Sequence, residues 1–185
     1  MDRSNQLSST TNDETLRAVF DYPEAAKMHV DNLVARLENE CDPVTKASIH
    51  AEIGNVERGL GNLRSAEESF LAALAIVEQH PETRKQVVVY SIRLAHVYHW
   101  QEKWDVALAM FDDLHEKTSV AEFYQWKDFV LQHRGKMFFD QRLFKEAFRD
   151  FCDALVLRQQ KGDAELIAST QQALAAARKK LGSVT

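Results

Sequence analysis

His96 and His99 lie three residues apart, and His133 follows later in the chain. Two imidazoles one helical turn apart share a face, and zinc sites use such pairs. On adjacent helices all three rings could approach one another. A metal would need a further ligand, and no carboxylate or cysteine is placed with them. Cys152 adjoins Phe151 and reads as a small buried apolar residue. Cys41 is the other cysteine, and no C-x-x-C exists. No metal is expected, and partner contact or plain exposure is the simpler use of the imidazoles. The sequence has no Gly-rich phosphate loop, no G-x-S-x-G and no H-E-x-x-H. The expectation is a protein that is not an enzyme and needs no cofactor.

The elements that carry these residues are helices. Only 6 glycines and 3 prolines occur in 185 residues, good helix formers are plentiful, and strand-like alternation is rare. The net charge is -5, which argues against a nucleic-acid surface. Two cysteines without a framework suggest a reducing, cytoplasmic setting. The opening MDRSNQLSSTTNDE is polar and has no signal core, so residues 1–12 are expected to be a disordered tail. No apolar run approaches the length of a membrane span.

An eight-residue pattern recurs. LRSAEESF (Leu63 to Phe70), WDVALAMF (Trp104 to Phe111) and FKEAFRDF (Phe144 to Phe151) each place a large residue, an Ala three on and a Phe four after that. Ala66, Ala107 and Ala147 give steps of 41 and 40. One step back falls on Ala25, where His29 replaces the Phe. Twelve residues before each later alanine stands another small residue: Gly54, Ala95 and Gly135, followed three on by Glu57, Tyr98 and Phe138. Two helices per unit fit this spacing. The small residues let helices approach, and the Phe fills the space between them.

The pattern resembles the tetratricopeptide repeat (TPR), whose signature is L-G-x2-Y followed by A-x3-F. The resemblance spans roughly residues 20–182. The unit is longer than the usual 34 residues, and Glu78, Ser119 and Gln159 stand where the family ends a repeat with Pro. That looks like the subclass of about 40 residues found in polarity adaptors and bacterial signalling proteins. HEAT and armadillo repeats have a similar length but lack the A-x3-F pairing. The resemblance implies an all-α, right-handed superhelix of antiparallel helix pairs. Its parts would be a partial unit at 13–41, units at about 42–80, 81–118 and 119–161, and a capping helix at 163–182, forming a single domain. A short helix near 13–20 is expected first, then eight longer ones. Asp42-Pro43 should cap one helix, and Ser119 with Glu122 should form a capping box for another.

In that family the first helix of each pair lines a concave groove that holds ligand peptides. Carried over residue by residue, the resemblance places Asn55 and Arg58 in the first full unit, beside Ala51, Glu52 and Gly59. In the second it places Arg93, His96, His99 and Trp100, beside Ile92. In the third it places Gln132, His133, Lys136, Phe139 and Asp140, and in the last helix Gln172, Ala173, Ala176, Lys179 and Lys180. The set is rich in basic and imidazole groups on an acidic chain, which favours an acidic protein or peptide partner with an apolar anchor. Gly54-Asn55 resembles the Leu-Gly-Asn motif whose Asn holds a ligand backbone, and a carboxamide can donate and accept at once. The motif does not recur, since His96 and Lys136 replace the Asn. The expected role is a protein-interaction module gripping a short peptide or helix. The alternatives are a self-associating homodimer module and a peptide-signal sensor like the bacterial regulators.

Overall fold

Asp42 caps the start of a helix at Pro43. Its carboxylate accepts from the Thr45 amide at 2.7 Å, satisfying a donor that the first helical turn leaves open, and Pro43 supplies a preset φ just inside. The computed structural model describes residues 7–12 and 16–182, and among these it contains eight α-helices. The described residues fall into two compact units, one of residues 7–12 and 17–101, the other of Leu16 and residues 102–182.

The first unit contains α1 (Pro23–Asn39), α2 (Pro43–Gly59), α3 (Leu63–Val77) and α4 (Arg84–Trp100), each packed on the next. The second contains α5 (Trp104–Lys117), α6 (Lys127–Asp140), α7 (Phe144–Lys161) and α8 (Ala164–Gly182), again packed consecutively. This is an all-α helical-repeat fold.

The recurring residues sit in the joints between helices. Ala66, Ala107, Ala147, Phe70, Phe111 and Phe151 are all wholly buried, as is Ala95, while Tyr98 and Phe138 are half-buried. Within the first unit, a methyl added to Gly54 would lie 3.0 Å from the Phe70 ring. Within the second, one added to Gly135 would lie 2.7 Å from the Phe151 ring. The small residues are small because an aromatic ring occupies the space beside them. A left-handed turn residue also repeats: Gly61, Glu102 and Arg142, separated by 41 and 40 residues, take φ of 84°, 60° and 62°. Glycine adopts this left-handed conformation freely, whereas the other two pay a steric cost.

Two local expectations are corrected. The polar tail and short helix expected before Pro23 are replaced, where described, by a ribbon of β1 (Ser9–Thr11) and β2 (Ala18–Phe20), antiparallel with Ser9 opposite Phe20. Thr10, Thr11, Val19 and Phe20 favour extended backbone. The Asp21 carboxylate ties the ribbon by accepting from the hydroxyls of Ser8 and Thr10, the latter at 3.0 Å. Residues 1–6 and 13–15, which the tail and helix also included, lie outside the described part. The helix expected after Ser119 begins only at Lys127, behind a 3-10 turn over Tyr124–Trp126. The Ser119 hydroxyl instead donates to the His115 carbonyl at 2.8 Å and accepts from Lys127 Nζ at 3.1 Å.

Candidate peptide groove

In the first unit the candidate residues of α2 gather round a recess of about 320 Å³. Asn55, Arg58 and Glu52 line it from α2, His29 from α1, and Ala18 and Phe20 from the ribbon. The spacing of Asn55 and Arg58, one helical turn, puts both on the same face, and Arg58 Nη2 donates to Asn55 Oδ1 at 3.1 Å. The Arg58 guanidinium lies 4.7 Å from the centre of the Trp100 ring, and Arg17 lies 5.3 Å from the same centre. Two cations on one indole are each attracted by the ring and repelled by one another.

Among the described residues Arg58 has no carboxylate partner. Its Nε and the Trp100 indole N–H are cut off from solvent and meet no protein acceptor. Burial first, and then the like charge of Arg93, lower the Arg58 pKa to about 10. Arg58 remains a cation at neutral pH. Burial also lowers the Arg93 pKa, opposed by Tyr90 and by the Glu52 carboxylate. Glu52 is itself engaged, 2.8 Å from His29 Nε2.

His96, His99 and Trp100 do not lie open as groove residues are expected to. They are exposed to only 6%, 1% and 8% respectively. The His96 and His99 rings stack with centroids 5.6 Å apart, and His96 meets Trp100 edge-on at 5.2 Å. As folded, they are packing groups within α4 and do not present themselves to a partner. No group of three or more metal-ligating side chains is assembled among the described residues.

In the second unit Lys136 is half-buried, and its Nζ donates to the main-chain carbonyl of Leu16 at 2.9 Å. The Leu16 side chain is buried with Phe139, Phe151, Ala173 and Ala177. Gln132 is buried, and among the described residues neither its amide oxygen nor its nitrogen has a hydrogen-bond partner. His133 is half-buried and Lys179 is exposed. Behind this face, Arg134 makes a two-pronged pair with Asp150 at 2.8 and 3.0 Å and reaches Asp112 at 2.8 Å. Those bonds raise the Arg134 pKa against the effect of its burial. Burial raises the Cys152 pKa, as suits an inert structural thiol.

Sequence reasoning missed Leu16, Arg17 and Phe20, all of which lie against candidate groove residues. Their signal is LRAVF (Leu16 to Phe20), a largely apolar run at the end of a polar stretch.

No family model matches the chain, and no curated protein matches it in sequence. Solved structures do match in fold. BtubC (BKLC) from P. vanneervenii superposes with a TM-score of 0.65 at 20% identity, over 88% of this chain and 67% of that one. The apo form of RapI superposes with a TM-score of 0.69 at 15% identity, over 88% of this chain and 59% of its own length. At such identities the likeness is one of fold, the helical repeat. Among the described residues no helix is long and apolar enough to cross a membrane.

Proposed function

We propose that this chain is a non-enzymatic, cytoplasmic interaction module of the long TPR type, which binds a short peptide or helix of a partner protein along its first-helix faces. The observation that carries the reading is Arg58: a guanidinium in a recess, with no ion pair among the described residues and a second cation, Arg93, beside it. Buried charges are ordinarily paired, so an acidic side chain or terminal carboxylate on the partner would complete the site. Gln132, whose buried carboxamide has neither donor nor acceptor in use, suits a peptide main chain in the second unit. The test is capture of partners by the wild-type chain and by an Asn55→Ala, Arg93→Ala double variant. Loss of a partner from the variant supports the groove, and recovery of the same partners in the same amounts sinks it.

Self-association is the second reading. It is favoured by the exposed apolar residues Tyr22, Met28 and Val34 at and along α1, the first helix of its unit. Light scattering decides it, because a molecular mass that stays monomeric at every concentration removes it.

A further inference from the structure

Three side chains of α2 leave three unused groups in one recess of the first unit. Glu52, Asn55 and Arg58 all line it, and its volume is about 320 Å³. Glu52 Oε1 is taken up by His29 Nε2 at 2.8 Å, which leaves Oε2 as an acceptor. Asn55 Oδ1 accepts from Arg58 Nη2 at 3.1 Å, which leaves the Asn55 amide nitrogen as a donor. The Nε of Arg58 is shut off from solvent, so Nη1 is the guanidinium nitrogen left for a ligand. In chain order the recess therefore offers an anion, a neutral donor and a cation. Ala18, Phe20 and Val56 supply apolar wall around them. Phe20 rests on Gly59, next to Arg58, so closely that a methyl added there would come within 2.5 Å of the ring. The recess is thus walled at its Arg58 end.

We infer that this recess is a binding site for a short zwitterion of dipeptide size, held by its carboxylate at Arg58, its peptide carbonyl at Asn55 and its ammonium at Glu52. The lengths agree. Glu52 and Arg58 are six residues apart, which is about 9 Å along a helix. Two extended residues span about 7 Å, and the side chains reach the rest. Ligand pockets run from about 300 to 1,000 Å³, and this recess lies at the small end. The site lies wholly within the first unit and needs no partner protein, so it goes beyond the groove reading. Its two ends are unequal. Arg58 is a half-buried cation without a carboxylate among the described residues. Glu52 is exposed, shares a bond with His29 and feels the charge of Arg93. The carboxylate of the ligand is therefore the stronger anchor.

The probe is the dipeptide Ala-Ala, titrated into the full-length protein by calorimetry, beside its C-terminal amide and its N-acetyl form. The amide should bind at least about tenfold more weakly, for want of one charge-assisted bond. The N-acetyl form should bind about threefold more weakly, because an exposed ion pair contributes less. Tetra-alanine, too long for both of its ends to be met, should also bind more weakly than Ala-Ala. Arg58→Met should remove the difference between Ala-Ala and its amide, and Glu52→Gln the difference between Ala-Ala and its N-acetyl form. Glu52 is exposed, so its variant carries the test if circular dichroism shows that Arg58→Met is not folded. No heat of binding at millimolar Ala-Ala, equal affinity for all four peptides, or preferences that neither variant changes would each overturn the inference.

Discussion

Arg158 Nε donates to the Asp128 carboxylate at 3.0 Å, with the two side chains only 3% and 0% exposed. The pair joins α7 to α6. The same guanidinium reaches α8, donating to Thr170 Oγ1 at 2.7 Å and to the Leu166 carbonyl at 3.1 Å, and Lys161 also pairs with Asp128. Burial lowers the Arg158 pKa, opposed by the hydrogen bond and charge of Asp128. A buried ion pair is weak evidence of net stabilisation, but breaking one side strands the other. Asp128→Ala should therefore cost about 3–5 kcal/mol. Urea denaturation followed by circular dichroism measures it, and a loss below about 1 kcal/mol would contradict the burial of the pair.

The two helix-joint glycines should respond differently to alanine. Alanine gains roughly 1 kcal/mol over glycine within a helix. At Gly135 the new methyl would lie 2.7 and 2.8 Å from two carbons of the wholly buried Phe151 ring, which has no room to retreat. Overpacking of that kind costs about 1–3 kcal/mol, so Gly135→Ala should be net destabilising. At Gly54 the closest ring carbons are 3.0 Å away, and Gly54→Ala should come nearer to neutral. The ranking of the two denaturation midpoints is the check.

Glu102 and Arg142 hold the left-handed turn position that Gly61 fills in the first pair. Replacing each by Gly removes a steric cost of roughly 1–2 kcal/mol, and the greater freedom of glycine in the unfolded chain returns about 0.5–1. Glu102→Gly and Arg142→Gly should each stabilise by up to about 1 kcal/mol. A fall in melting temperature for both would mean that their side chains matter more than their backbone.

Acid should weaken the fold through two histidines. Burial lowers the pKa of His115, helped by the charges of Arg134 and Lys127 and opposed by Asp150 and Asp112. Burial, then the charge of Lys46, lowers that of His50. A depressed histidine pKa means that the unfolded chain takes up the proton first. The stability from these groups is complete above the ordinary value of 6.5 and falls as pH drops from there toward their folded values. His115→Gln should flatten part of that fall in a series of thermal melts between about pH 5 and 8. A slope identical to wild type would remove His115 as a contributor.

Much of the fold was legible because its cues are local. The A-x3-F joints need only helical periodicity within eight residues, and their recurrence at 41 and 40 residues fixes how the elements alternate. Asp42-Pro43 marks a helix start through bonds that span three residues. Where the cues were weak, so was the reading. Ser119 and Glu122 look like a capping box, yet Lys127 and His115 claim the Ser119 hydroxyl and the helix begins later.

The candidate site was only partly legible. The sequence by itself determined which residues fall on the first-helix faces, because a side chain's face follows from its position in a 3.6-residue turn. It could not say that His96 and His99 would be buried there, since burial depends on what lies against a face. Tertiary structure alone decided that Arg58 would have a neutral partner in Asn55 and an aromatic one in Trp100. It also decided that Leu16 would meet Lys136 from 120 residues away, and that Ser9–Thr11 would pair with Ala18–Phe20. Strands of three residues have little intrinsic preference, and their conformation is set by what they pack on. The helices were written in local periodicity, and the occupancy of their faces was settled by contacts that no local pattern encodes.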